Sequence, residues 1–314
     1  MDPLHPDEKR GDRLKKSVSH FRDYLLLLFA GFSFSSLAVF SELATRLSID
    51  GFNQIVWRAL FAMILSGIAA FLFYKQSIRL TAKELTHMLV NGLLLAGGIS
   101  TFSLGIYLGS PIAKAVALNY AYPLVVIVGS YLLFKEKPTV KGWVAVVISL
   151  VSVAILLEVW NIQNLFTLNI GDMLELLNSV FYGALIVYGK KISTDTNLHP
   201  LKSLFYSYLV ATPCLFILGL FIIHVLDIPT IGTSLQWLTI PQNLTLLGLA
   251  AFGMVLPLAL MYTAISRVKA YVAGILLLTE PLWVYIFGLL LFQQALSIWG
   301  LLGMLGIIIA VLLI

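Results

Sequence analysis

Residues 269–292, KAYVAGILLLTEPLWVYIFGLLLF, form a stretch of 24 residues that is apolar over most of its length. A helix rises about 1.5 Å per residue, so a helix of this length crosses a bilayer. Glu280 and Pro281 lie near the centre of the stretch. The proline removes a backbone donor and bends the helix, and a carboxyl group in hydrocarbon is costly enough to mark a candidate functional site. At this depth Glu280 would bind a proton or the amino group of a substrate.

Residues 115–134, AVALNYAYPLVVIVGSYLLF, repeat the same design. When Pro123 is set on Pro281, an offset of 158 residues, Tyr122 falls on Glu280. The same offset places Phe134 on Phe292 and Gly142 on Gly300, and an offset of 156 places Gly92 on Gly248 and Gly97 on Gly253. The chain therefore contains an internal repeat.

The composition is that of an integral membrane protein. Hydrophobic residues make up 60% of the chain and charged residues 11%, and the mean hydropathy is +0.96. These values exclude a soluble domain. The single cysteine, Cys214, cannot form a disulfide within the chain. The first 22 residues are polar, so we expect no cleavable signal peptide.

Hydropathy predicts an all-α integral membrane protein with ten transmembrane helices. The predicted spans are 24–45, 53–74, 86–108, 111–134, 139–159, 171–189, 202–225, 244–265, 270–292 and 296–314. We expect residues 1–22 to form a basic tail, residues 23–160 the first repeat and residues 161–314 the second. Because each repeat has five spans, an odd number, the two repeats are inverted and enclose a central cavity.

The basic residues predict the orientation of the chain, because cytoplasmic connections are rich in lysine and arginine. With the N-terminus inside, all but three of the 20 lysines and arginines lie in the tail or in inner connections; the exceptions are Arg46, Arg58 and Lys114. Both termini are therefore predicted to be cytoplasmic, with the protein in the plasma or inner cell membrane. The net charge of +5 is explained by this orientation, so we expect no nucleic acid partner.

The chain resembles the drug/metabolite transporter superfamily, in its EamA-type ten-helix branch, over about residues 24–314. The resemblance rests on YPLVVIVGSYLLFKEKPTVKGW, residues 122–143, and on TEPLWVYIFGLLLFQQALSIWG, residues 279–300. Family members show a proline-containing helix, an apolar run, a glycine or leucine followed by glutamate, and a glycine that opens the next helix. The first copy keeps Lys135 and Glu136, whereas the second has two glutamines. The resemblance implies two EamA domains, a central cavity, and export or exchange of small metabolites.

Polar side chains inside the predicted spans are the candidates for substrate contact. The sixth span carries Asp172, Glu175, Ser179 and Tyr182 on one helical face, although the two acids can equally stabilise the start of the helix. The full set of predicted substrate-binding residues is Glu280, Tyr122, Asn119, Glu175, Tyr182, Arg58, Glu42, Tyr107 and Tyr262.

Tyr120 and Tyr122 are two positions apart, so a continuous helix would point them to nearly opposite faces. The match to Glu280 favours Tyr122 for the cavity, with Asn119 on the same side. On the first span, the small residues at 31, 35 and 38 favour close helix packing.

Three charged residues are predicted at similar depth near the outer surface: Glu42, Arg58 and Lys114. Together they would form an extracellular ion-pair network that offsets the cost of buried charge. The alternative for Arg58 and Lys114 is that each side chain extends to the outer headgroups.

No spacing indicates a metal site, a phosphate-binding loop or a catalytic triad, so we expect no cofactor and no enzymatic activity. The predicted function is secondary active transport, by alternating access, of a small polar metabolite such as an amino acid or a related zwitterionic or cationic solute. A proton or a counter-substrate would be the coupling partner, and the protein would be a monomer or a weak homodimer. The alternatives are a flippase for lipid or lipid-linked headgroups and a membrane-embedded transferase.

Overall fold

The structure is a computed structural model that describes residues 6–73, 79–162, 166–224, 231–232 and 234–314. Its helices are α1 Pro6–Arg46, α2 Gly51–Phe73, α3 Ala82–Tyr107, α4 Ile112–Asn119, α5 Tyr122–Phe134, α6 Val140–Leu156, α7 Ile170–Asp195, α8 Pro200–His224, α9 Ile240–Gly248, α10 Leu256–Ile265, α11 Ala270–Leu277, α12 Glu280–Phe292 and α13 Ile298–Leu312. A π-helical segment, Leu249–Val255, joins α9 to α10. Residues 6–22, which belong to the predicted tail 1–22, lie in α1 and extend it towards the N-terminus.

Ten apolar segments account for the predicted spans. Eight are long and apolar enough to cross a bilayer: Phe21–Arg46, Gly51–Phe73, Ala82–Tyr107, Lys114–Phe134, Ile170–Asp195, Pro200–His224, Ile240–Ile265 and Ala270–Phe292. The shorter apolar helices α6 and α13 complete the set. The prediction of a ten-helix membrane protein is confirmed, and its boundaries agree to within a few residues.

Each proline span is broken into two helices, and the two breaks are equivalent. The offset of 158 residues maps α4 onto α11 and α5 onto α12, from first residue to last. In both copies the proline is the second residue of the second helix, where its missing N–H costs nothing. Both second helices end at a residue in the left-handed region, Lys135 with φ 57° and Gln293 with φ 54°. The internal repeat seen in the sequence is therefore also a repeat of backbone structure.

The first helices of the two repeats run in opposite directions. Near the start of the apolar span Phe21–Arg46 in α1, Asp23 accepts two hydrogen bonds of 2.8 Å from Arg267. Near the end of α7, Lys190 donates to the carbonyl of Val268, also at 2.8 Å. The start of one span and the end of the other therefore meet the same connection, as an inverted repeat requires. We call this the predicted inner side of the molecule and the opposite side the predicted outer side.

The two repeats interlock instead of lying side by side. Helix α1 of the first repeat packs against α9, the π-helical segment and α10 of the second, while α3 packs against both α7 and α8. Helices α6 and α13 form a separate pair at the edge of the bundle. The largest fully buried side chains include Tyr122 and Tyr208, which places hydroxyl groups inside the apolar core.

Candidate functional site

Glu280 is the first residue of α12 and lies at the break of the second proline span. Its charge acts on the hydroxyl groups of Tyr120, Tyr122 and Tyr182, so these four residues form one group, which we call the central cluster. The rings of Tyr122 and Tyr182 meet edge to face with centroids 4.6 Å apart. Glu280 forms no ion pair with a cation in the described part of the chain. The cluster thus offers a carboxyl group and aromatic faces, both of which attract a cation.

Polar atoms of the cluster and its surroundings are only partly satisfied. The hydroxyl of Tyr122 donates a hydrogen bond of 3.1 Å to the carbonyl of Gly274. The hydroxyl of Tyr182 and Oδ1 of Asn119 are buried and have no hydrogen-bond partner among the described residues. Because a buried polar atom without a partner costs about 1–3 kcal/mol, such atoms are available to a polar ligand.

Tyr120 is a member of the central cluster that the sequence argument placed on the wrong face. Helical periodicity separates Tyr120 from Tyr122 only if the helix is continuous. The structure ends α4 at Asn119 and begins α5 at Tyr122, so Tyr120 lies in the break. The rings of the two tyrosines are 6.5 Å apart. The proline at position 123 was the signal that the periodicity would fail there.

Helix α1 approaches the α11–α12 break at Gly31. A Cβ atom at this position would overlap Oγ1 of Thr279 and lie 3.5 Å from both the backbone nitrogen of Glu280 and the carbonyl oxygen of Leu277. The hydroxyl of Thr279 is itself held by a 2.8 Å hydrogen bond to the carbonyl of Leu276. The predicted small-residue face of the first span therefore lets α1 pack directly on the backbone beside the central cluster.

Replacing Gly31 with alanine is expected to destabilise the protein by about 1–3 kcal/mol, because the new methyl group overpacks this contact. Gly98 in α3 is the matched control, since a Cβ there would meet ordinary contacts of 3.6 and 3.7 Å. Gly98→Ala should be neutral or stabilising by up to about 1 kcal/mol, the usual helix preference for alanine. Thermal unfolding in detergent measures both. Equal midpoints for the two variants would show that the close approach of α1 does not exist.

Arg58 on α2 is a second buried charge, with 7% of its surface exposed. Its Nε has no hydrogen-bond partner among the described residues, and it forms no ion pair with a described carboxylate. Its charge acts on the hydroxyls of Tyr208 and Tyr107. The hydroxyls of Tyr208 and Thr212, both on α8, are also buried without a partner in the described structure. This surrounding suits an anionic group, which a guanidinium binds through charge-assisted hydrogen bonds.

Arg58 lies at about the depth of the central cluster. Four packing contacts fix the register of α2, α8, α3 and α7: Phe52 on Gly219, Phe205 on Gly67, Val210 on Gly92 and Phe181 on Gly97. These contacts place Arg58 on α2 at the same depth as the middle of α8. The middle of α8 is at the depth of Gly97 on α3, and Gly97 is at the depth of Tyr182 on α7. Arg58 and Glu280, neither of which forms an ion pair among the described residues, therefore occupy one level of the bundle.

Lys114 and Asp172 form an ion pair that is fully buried on the predicted outer side. Nζ of Lys114 is 2.7 Å from Oδ2 of Asp172, and the two side chains are 1% and 0% exposed. Asp172 also accepts hydrogen bonds from the hydroxyl of Ser110 at 2.8 Å and from the backbone of Asn169 at 2.9 Å. Lys114 donates further to the carbonyl of Thr167 at 2.8 Å. This outer ion pair joins α4 of the first repeat to α7 of the second.

The predicted network of Glu42, Arg58 and Lys114 is wrong. Glu42 is exposed and bonds to Arg46, one turn later on α1, at 2.8 Å. Lys114 neither reaches Glu42 nor extends to the headgroups, because Asp172 holds it inside the protein. Similar depth does not bring side chains together when their helices face different neighbours. The substrate-binding role of Glu42 stays a prediction.

Asp23 and Arg267 form the corresponding ion pair on the predicted inner side. Asp23 is fully buried and accepts from Nε and a terminal nitrogen of Arg267, each at 2.8 Å. Hydrogen bonding to Asp23 raises the pKa of Arg267 above its usual value. A cavity of about 350 Å³ lies beside this inner ion pair, lined among others by Tyr24, Thr139, Lys141, Lys269 and Tyr271.

Glu136 and Lys190 reinforce the same side. Glu136 is bonded to the ammonium group of Lys190 and accepts a 2.8 Å hydrogen bond from the backbone nitrogen of Ala270, the first residue of α11. Glu136 of the family-like Lys135–Glu136 sequence in the first repeat thus holds the start of α11 in the second repeat. The second copy has Gln293 and Gln294 at these positions and lacks an acid for an equivalent ion pair.

The remaining predicted residues lie away from the central cluster. The hydroxyl of Tyr262 is bonded to Asn91, which also bonds to Ser207, so this network ties α3, α8 and α10 together. Tyr107 is half-buried at the outer end of α3, next to Gly51. Glu175 is fully buried, and neither carboxyl oxygen has a hydrogen-bond partner among the described residues.

Comparison with known proteins agrees with the resemblance in the sequence. The model of the EamA-like transporter family matches residues 22–158 and, a second time, residues 169–314. A solved structure described as "Crystal structure of protein" has a TM-score of 0.75 and 14% sequence identity, covering 93% of this chain and 95% of that chain. At that identity the likeness shows the fold alone. A search of curated proteins found no match. The two family matches span most of the sequence, and the chain belongs to the EamA-like transporter family.

Proposed function

We propose that this multi-pass membrane protein is a secondary active transporter that moves a small polar metabolite by alternating access. Family membership supports a membrane transporter of the drug/metabolite type. The observation that carries the proposal further is the presence of Glu280 and Arg58 at one level, neither paired with an opposite charge in the described structure. A charge at the centre of a bilayer costs roughly 2.5–3.5 kcal/mol on insertion scales, so unpaired charges there are kept for a ligand.

The arrangement of these groups favours an amino acid or a related zwitterionic or cationic solute. Glu280 and the rings of Tyr122 and Tyr182 would bind an ammonium group, by charge and by cation–π attraction. Arg58, which lies at the same level of the bundle, would bind a carboxylate. The unpaired hydroxyl of Tyr182 and the amide of Asn119 would accept or donate the remaining hydrogen bonds.

Alternating access would use two of the ion pairs that join the repeats. The outer pair, Lys114 and Asp172, and the inner pair, Asp23 and Arg267, lie at opposite ends of the bundle, and both are formed in this structure. In the proposed cycle one pair opens while the other stays closed, so that the substrate site faces one side at a time. We also propose that the protein resides in the plasma or inner cell membrane with both termini cytoplasmic, as the basic residues predict.

The test uses purified protein with three matched ligands: an amino acid, its decarboxylated amine and its N-acetyl derivative. The amino acid is expected to raise the thermal unfolding midpoint and to exchange across liposomes. Each analogue should bind about tenfold or more weakly, because a charge-assisted hydrogen bond is worth about 1.5–3 kcal/mol. Protein-free liposomes are the control. The proposal fails if no amino acid, nucleoside or adenosyl compound either shifts the midpoint or exchanges.

A further inference from the structure

We propose that Glu175 is the proton-binding site that couples transport to a proton gradient, and that its protonation controls the outer ion pair. The inference rests on the proposed transport function and assigns different roles to two glutamates within the spans, Glu175 and Glu280. Glu280 binds the substrate, whereas Glu175 binds the driving ion.

The surroundings of Glu175 require a neutral carboxyl group in this closed arrangement. The residue is 0% exposed, and both carboxyl oxygens lack a hydrogen-bond partner among the described residues. A Cβ atom at Gly105 would overlap the carboxyl group, so this group packs directly on the surface of α3. An ionised carboxylate there would be a buried, uncompensated charge, which proteins avoid by keeping the proton bound.

The charges near Glu175 belong to the outer ion pair. Asp172 lies one turn earlier on the same helix, and its negative charge acts on Glu175. Lys114, from α4, is already bonded to Asp172. Helix α3 presents Gly105 and then Tyr107, whose own charged neighbours are Asp50 and Arg58. The other titratable groups on the helices packed against α7 lie two or more turns deeper: Lys83, Glu84, His87, Tyr122, Tyr131, Tyr262 and Tyr271.

Charge balance links the proton to the outer ion pair. With Glu175 protonated, the single positive charge of Lys114 balances the single negative charge of Asp172, and the buried group is neutral. When Glu175 loses its proton, two carboxylates share one ammonium group and the buried net charge becomes negative. That state is costly until water enters. Proton release from Glu175 therefore favours opening of the predicted outer side, and proton binding favours its closure.

One helical face connects this proton site with the substrate site. Glu175, Ser179 and Tyr182 follow each other on the inward face of α7, and all three are at least partly buried. Tyr182 belongs to the central cluster around Glu280, and its hydroxyl is unpaired in the described structure. Proton and substrate would therefore enter by the same opening when the outer ion pair separates. Because the opening is shared, each change of access would move both the proton and the substrate.

The experiment separates exchange from gradient-driven accumulation in liposomes, with the substrate identified by the ligand test above. Glu175→Gln is expected to keep exchange of labelled for unlabelled substrate and to lose accumulation driven by an imposed pH gradient. Its exchange rate should also lose its dependence on pH. Glu175→Asp, which can titrate, should recover gradient-driven accumulation. Glu84→Gln is the matched control, since Glu84 is only partly buried and glutamine preserves its helix-capping bond.

Gradient-driven accumulation that persists in Glu175→Gln would overturn the inference. So would the loss of exchange in a folded Glu175→Gln protein, since the residue would then serve substrate passage itself. Infrared spectroscopy gives a readout that does not depend on transport. The wild-type protein should show the carbonyl stretch of a buried protonated carboxylic acid that survives in Glu280→Gln, and its absence contradicts the inference. A wild-type protein that exchanges no solute would refute the proposed function, while this infrared result would still stand.

Discussion

Replacing Lys114 with methionine is expected to lower the free energy of unfolding by about 3–5 kcal/mol, the usual loss when one partner of a buried ion pair is removed. Asp172 would keep its charge at 0% exposure with only neutral donors around it. The double variant Lys114→Met/Asp172→Asn should recover most of this loss, because it leaves no buried charge. Denaturant unfolding in mixed micelles measures the wild type, Lys114→Met, Asp172→Asn and the double variant.

The exposed pair of Glu42 and Arg46 provides the matched control for this prediction. Arg46→Met removes one partner of a surface ion pair and should cost about 0–1 kcal/mol. If Lys114→Met costs no more than Arg46→Met, the outer ion pair is not buried in the folded protein. If the double variant loses the sum of the two single losses, the two residues do not interact.

Glu280→Gln is expected to weaken the binding of an amino-group substrate by about 10- to 100-fold and to leave folding intact. Glutamine has nearly the same shape but cannot carry the charge, and a hydrogen bond to a charged group contributes about 1.5–3 kcal/mol. Ligand-induced shifts of the thermal midpoint and exchange in liposomes both report the change. Glu84→Gln again serves as the control for loss of an acid.

A purely structural role for Glu280 predicts a different result. A protonated carboxyl group that only packs at the helix break would be replaced by glutamine with little consequence. Wild-type affinity and an unchanged pH profile in Glu280→Gln would leave only that packing role. Loss of affinity without loss of the thermal midpoint would assign Glu280 to the substrate.

The helices and the repeat could be predicted because their signals are local in the sequence. Apolar length sets each span, and the proline at 123 and 281 sets the position of each break. The same break explains why Tyr120 was misplaced, since helical periodicity does not extend across Ala121. A proline inside a span therefore predicts an irregular segment. Helical periodicity does not predict which way the side chains next to that proline point.

The partners of the buried charges could not be predicted from depth. Hydropathy gives the distance of Lys114 from the membrane surface but not which helix faces it, and the helix it faces belongs to the other repeat. Asp23 was missed for a related reason. It stands at the junction between the predicted tail and the first span, where an acid next to Arg22 is typical of an exposed helix start. Only the packing of α1 against the connection before α11 buries it.

The outer ion pair constrains how the protein is made. Lys114 enters the membrane as part of the first repeat, and its partner Asp172 is synthesised 58 residues later. Until α7 is inserted, Lys114 cannot bind Asp172, and Asp23 likewise cannot bind Arg267, which is 244 residues further on. A chain halted between the repeats would therefore lack both of these ion pairs. The two repeats must therefore fold together, because the second repeat supplies the charged partners of Lys114 and Asp23 in the first.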